Sequence, residues 1–193
     1  MTPLFNPQVE TIISVIAGAL ITTAQFVLIR DTWTGKIKPS VLSWLGWGLM
    51  IGVGCIAQFI ETGWEQSLTG LAVSTIGCFA IAFIALLRKN YAIERVDYVY
   101  LSLGIVCLII YTSSRDPWIT TILAIISDFI VGVPMLIAAW KLPASQKSHG
   151  WIIGGISWTC TLLICLGHPV LYAIFPIYLF AYNWTMVVLG NRK

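Results

Sequence analysis

Apolar runs broken by short polar stretches organise this chain. A helix that crosses a bilayer needs about 20 mostly apolar residues, and seven stretches qualify: roughly 9–29, 41–60, 67–87, 98–113, 117–139, 150–167 and 169–189. The fourth is short, and the last two are parted only by His168-Pro169, which predicts a tight hairpin. The remaining breaks carry turn residues: Thr34-Gly35, Glu61-Thr62-Gly63, Arg115-Asp116-Pro117 and Leu142-Pro143. The first stretch opens with Glu10 instead of a basic segment and lacks a small-residue cleavage site, so it is expected to be a retained helix and not a signal peptide.

Lysine and arginine then orient the predicted helices, because short loops rich in them stay on the cytoplasmic side. Arg30, Lys36 and Lys38 follow the first helix, Arg88, Lys89 and Arg95 the third, Lys141 and Lys147 the fifth, and Arg192 and Lys193 the seventh. These alternate segments hold 10 of the 11 basic residues. The opposite face keeps Arg115 with Glu10, Glu61, Glu65 and Asp116. Seven helices fit this alternation where six or eight would break it. The expectation is a multi-pass cell-membrane protein with its N-terminus outside and its C-terminus in the cytoplasm.

Composition agrees with a lipid exterior: 58% of residues are apolar and 10% are charged, against about 25% charged in a typical soluble domain. A net charge of +3 without a basic stripe is too small to suggest nucleic acid, and none is expected as a partner. The five cysteines, Cys55, Cys78, Cys107, Cys160 and Cys165, lie in apolar stretches with no CxxC pair and read as small hydrophobes.

Tryptophan spacing exposes an internal repeat. Trp33 and Trp44 are eleven residues apart, as are Trp140 and Trp151, and a shift of 107 lays one pair on the other and Gly48 on Gly155. In each copy the first tryptophan ends a helix, a short basic linker follows, and the second opens the next helix. The predicted fold is an all-α integral membrane domain over 1–193, with two parallel three-helix repeats (about 9–89 and 117–190) joined by a linker helix at about 98–113. An odd helix between two triplets gives both the same orientation.

Pro134, six residues before Trp140 and followed by a polar linker, resembles the PQ-loop signature of the SWEET and SemiSWEET sugar transporters, as Pro39-Ser40 and Ser43-Trp44 resemble that family's linker into its second helix. Met135 stands at the family's glutamine position and Val27 at its first-copy proline. The resemblance implies the 3+1+3 layout, a proline-kinked fifth helix, and substrate contact by an asparagine of the third helix of each triplet together with a tryptophan; Asn183, beside Trp184 in the last helix, looks like that asparagine. PnuC-type vitamin transporters look similar in the same 3+1+3 sense, so no substrate is selected.

Several residues are candidates for chemistry, each with a plainer alternative. Asp128 is the acid placed within a span, at mid-depth of the fifth helix. Such a residue usually faces an internal cavity, as a substrate acceptor or a proton-coupling group; otherwise it bonds two helices together. Pro134 removes a helical hydrogen bond and is a hinge or a static bend. Asn183, with Tyr178 and Tyr182 nearby, is a ligand contact or interhelical glue, and Gln25 and Gln58 share that ambiguity. Ser74 and Thr75 offer polar groups at similar depth in the first triplet. Trp47 and Trp158 lie deep enough to stack on a ligand, whereas Trp33, Trp44, Trp140 and Trp151 are placed at the interface. Gly48 with Gly52, and Gly150 with Gly154, have the spacing of close helix approach.

No hydrolase, zincin or P-loop motif is present, His149 and His168 lie on opposite faces and make no metal site, and nothing calls for a cofactor. A retinal protein needs a lysine in its seventh helix, and 169–189 has none. The expected function is a non-enzymatic transporter moving a modest polar metabolite, a sugar or similar, by alternating access. Asp128, Asn183, Trp47, Trp158 and Ser74 would bind it, and Pro134 would act as hinge. The rival is a non-transporting accessory or receptor subunit packing against a partner subunit or a second copy. A transporter cavity should be lined from both triplets, whereas the polar residues of this chain are concentrated in the second.

Overall fold

The computed structural model describes residues 5–62, 66–113, 117–166 and 170–192. They form seven α-helices and no strand: α1 (Pro7–Trp33), α2 (Val41–Thr62), α3 (Gln66–Leu87), α4 (Arg95–Ser113), α5 (Pro117–Lys141), α6 (His149–Cys165) and α7 (Val170–Gly190). A single 3₁₀ turn, Pro143–Gln146, lies between α5 and α6. Four of the helices contain described segments long and apolar enough to cross a membrane, Pro7–Trp33, Gly70–Leu87, Thr121–Lys141 and Ala173–Gly190. The chain is thus an all-helical membrane protein. The hairpin at His168-Pro169 and the side chains of Gln58, Glu61, Glu65, Cys107, Arg115 and Asp116 lie outside what is described.

Local chemistry sets the helix ends. Asn6 caps α1 by accepting the Val9 N–H at 2.9 Å, with Pro7 in the first turn where its missing N–H costs nothing. The other end of α1 closes with paired bonds from Gly35 N–H to the Thr32 carbonyl and from Lys36 N–H to the Asp31 carbonyl, Gly35 taking φ +76°. After α3 the same motif recurs, Lys89 N–H to Leu86 and Asn90 N–H to Ala85, although a lysine, Lys89, takes the left-handed φ of 51°. Ser148 caps α6 by accepting the Gly150 N–H at 3.0 Å.

The basic segments meet at one end of the bundle. Lys38 N–H donates to the Ser145 carbonyl at 2.8 Å, and Asn90 Nδ2 donates to the Ile37 carbonyl at 2.7 Å. Arg88 lies over the Trp33 ring and Arg192 over Trp140, at 5.0 and 3.8 Å. Helix packing is selective. Helix α3 touches both α1 and α2, and α7 touches both α5 and α6. Between these groups α1 packs on α6 and α2 on α5, while α4 lies against α5 and α2. The core occupies the basic half: Ile37, Trp44, Ile81, Ala85, Val131, Met135 and Met186 are buried. Large apolar side chains such as Phe26, Ile76 and Val188 are more than 60% exposed, as a lipid-facing exterior requires.

Candidate functional site

One cavity of about 80 Å³ lies between the first three helices and the last three. It takes Gln25 from α1, Trp44 and Trp47 from α2, Ser74 and Cys78 from α3, Asp128 from α5, Trp151 and Trp158 from α6, and Tyr182 and Asn183 from α7. All five ligand candidates read from the sequence, Asp128, Asn183, Trp47, Trp158 and Ser74, are therefore brought together on its wall. Pro134 is buried and α5 continues through it, but it is not part of the lining. The expected concentration of polar groups in the second triplet is corrected here: Gln25 and Ser74 reach the cavity from the first. Small-molecule pockets run to roughly 300–1,000 Å³, so in this conformation the site is contracted around space for a few waters.

Asp128 is the hub. Its Oδ2 accepts the Tyr178 hydroxyl at 2.6 Å, and its backbone carbonyl accepts Trp47 Nε1–H at 3.0 Å across the boundary between the two groups of helices. One turn along, Tyr182 donates its hydroxyl to the Gly132 carbonyl at 2.8 Å. Gly132 is required for this approach, since a Cβ there would stand 2.9 Å from both Trp47 and Tyr182. Likewise a Cβ on Gly77 would stand 2.5 Å from Gln25 Oε1. Asn183 spends its Nδ2–H on the Leu179 carbonyl at 2.8 Å, which leaves its oxygen beside Gly154.

Trp44 and Trp151 depart from their expected interfacial placement. They are 2% and 5% exposed, and their rings meet at 5.9 Å on the basic side of the cavity. The linkers fold inward over them: Ile37 and Gln146 are fully buried, and Gln146 Nε2 donates to the Lys38 carbonyl at 2.6 Å. Trp33 and Trp140 are exposed at the basic end as expected. Trp184 packs on Gly155 and does not line the cavity.

The sequence reading missed Asp31 as an intrahelical acid. It is 1% exposed at the end of α1. There it accepts the Ser148 hydroxyl at 2.8 Å and pairs with Lys36 at 3.0 Å and Arg30 at 3.2 Å, tying α1 to the start of α6. Standing among basic residues, it looked like part of a solvated loop. A second proline inside a helix, Pro176 of α7, lies two residues before Tyr178. Among the described residues Cys78 and Cys160 are free thiols. Among the described residues no three His, Cys, Asp or Glu side chains form a metal-binding group.

Comparison with family models, curated proteins and solved structures finds no match to this chain.

Proposed function

We propose that this chain is a small alternating-access transporter of a modest polar metabolite, placed in the cell membrane with its N-terminus outside and its C-terminus in the cytoplasm. One observation carries the reading: a cavity draws aromatic and polar side chains from both groups of three helices. Two units that pack on either side of such a cavity can rock about it and expose it to each face in turn.

The 3+1+3 repeat is part of the same proposal, and the contacts support it. A two-fold axis along the membrane normal would exchange α1–α6 packing with α2–α5, and both occur while α3 and α7 each lie inside their own triplet. Residues on such an axis meet their own equivalents, as Trp44 meets Trp151 and Lys38 meets Ser145, each pair 107 apart. Gly48 receives Phe79 of α3 as Gly155 receives Trp184 of α7, and the Trp33–Arg88 stack is repeated by Trp140–Arg192. The SWEET-like reading rests on Pro134 and the linkers. Met135, at the glutamine position, accepts the Ser40 N–H on its sulfur at 3.2 Å, so that position bonds the opposite linker.

In this reading Asp128 and Asn183 supply the polar contacts, Trp47 and Trp158 the apolar platform, Ser74 a further hydroxyl, and Pro134 a hinge. The accessory-subunit alternative is favoured by the small cavity and by ring-on-ring packing such as Trp47–Tyr182 at 5.4 Å. Proteoliposome uptake of a panel of labelled sugars and small metabolites separates the two. A transporter moves at least one of them, and Asp128→Asn lowers that flux. A folded protein that moves none supports the accessory role.

A further inference from the structure

The cavity lining has an unusual balance of chemistry. Among the described residues it contains one carboxylate, Asp128, and no lysine, arginine or histidine. No cation among the described residues pairs with Asp128, whose side chain accepts the neutral Tyr178 hydroxyl. Five aromatic side chains, Trp44, Trp47, Trp151, Trp158 and Tyr182, share the wall. Aromatic side chains and a carboxylate on one wall attract cations, by the quadrupole of each ring and by the charge, and an anion would meet no counter-charge among the described residues.

Unpaired polar atoms narrow the ligand further. Buried polar groups are nearly always bonded, so orphans call for an explanation. Of the five orphaned buried side-chain atoms among the described residues, three belong to residues that line this cavity: Gln25 Oε1, Trp44 Nε1 and Trp151 Nε1. Gln25 is 9% exposed, and its oxygen needs a donor. The two indole N–H groups need an acceptor. We infer that the cavity binds a small organic ammonium ion that also carries a hydroxyl or carbonyl oxygen: the cationic end lies on the aromatic faces near Asp128 and the oxygen lies at the Trp44–Trp151 indoles. The inference rests on the proposal that this cavity is the substrate site, and it replaces an uncharged sugar with a compact hydroxylated cation.

Three probes separate charge from shape. Choline carries both features, tetramethylammonium has the charge without the oxygen, and 3,3-dimethylbutan-1-ol has choline's shape and hydroxyl without the charge. Each is titrated into the full chain in nanodiscs at constant ionic strength, with thermal stabilisation as the readout. Choline is expected to bind at least tenfold more tightly than the neutral alcohol, with tetramethylammonium between them. Asp128→Asn should remove the advantage of the cations, and Asp128→Glu should restore it in part. Trp158→Leu, at a half-buried ring outside the Asp128 hydrogen bonds, should weaken both cations alike and keeps the test open if the aspartate variant does not fold. Trp44→Phe and Trp151→Phe should bring choline down to tetramethylammonium. Equal binding of choline and the alcohol, or no stabilisation by choline, overturns the inference. Choline binding without uptake in proteoliposomes upholds the site and sinks the transport reading; uptake of a neutral sugar with no stabilisation by choline does the reverse.

Discussion

Asp31→Ala tests what holds the basic end shut. Asp31 binds three partners of unequal value: Arg30 and Lys36 are 69% and 41% exposed at the side chain, whereas the Ser148 hydroxyl is buried. Exposed ion pairs contribute about 0–1 kcal/mol, because both cations regain water when the pair breaks. A buried hydrogen bond to a charged acceptor contributes about 1.5–3 kcal/mol, so Ser148 dominates and the total loss is about 2–3 kcal/mol. If the α1–α6 tie exists only while the basic end is closed, that loss shifts the closed-to-open ratio by roughly 30- to 150-fold. Cys78 lines the cavity and reports the opening once the other four cysteines are serine. A membrane-impermeant thiol reagent applied to the basic face should label Cys78 much faster in Asp31→Ala than in the parent. Asp31→Asn, whose amide oxygen still accepts from Ser148, should fall between them. Labelling of Asp31→Ala at the parent rate, in a protein that remains folded, refutes the latch.

Other expectations follow from single contacts. Tyr178→Phe removes the donor to the buried Asp128 Oδ2 and should cost about 1–3 kcal/mol; a double-mutant cycle with Asp128→Leu should be strongly non-additive, and additivity would mean that the pair does not interact. Gly132→Ala places a Cβ 2.9 Å from Trp47 and Tyr182 and should lower thermal stability by about 1–3 kcal/mol through overpacking, where an unchanged melting curve would show that the helices do not approach so closely. For orientation, cysteines engineered near Arg115 should react with reagent from outside the cell and those near Lys36 or Lys147 should not, the reverse pattern inverting the topology.

Much of the fold was legible because lipid imposes a simple rule: each span must be a long apolar helix, and all seven predicted helices are present. Boundaries shifted where polar residues stay helical. Helix α1 reaches Trp33, beyond the apolar edge near residue 29, because Asp31 finds partners that let it be buried. The cavity was legible through isolated polar residues in apolar spans, and Asp128, Asn183 and Ser74 line it as the cost of burying them predicts. Depth misled for Trp44 and Trp151. Both stand close to a loop in sequence, yet the linkers turn inward and bury them, an effect of tertiary contacts such as Gln146 with Lys38 that no local pattern encodes. The tyrosine contacts did leave a trace: Tyr178 and Tyr182 have the same i, i+4 spacing as Asp128 and Gly132, and each bonds the partner 50 residues away.

The central claim is that two units expose one cavity to each face in turn, and reaction of Cys78 as the sole cysteine tests it without knowledge of the substrate. Alternating access predicts that an impermeant thiol reagent reaches Cys78 from either side of the membrane in the unliganded protein. Cross-linking Trp44→Cys to Trp151→Cys, positions whose native rings meet at 5.9 Å, should then abolish labelling from the basic face and leave labelling from the other face intact. Reaction from one face only before cross-linking, or from neither, would contradict the account.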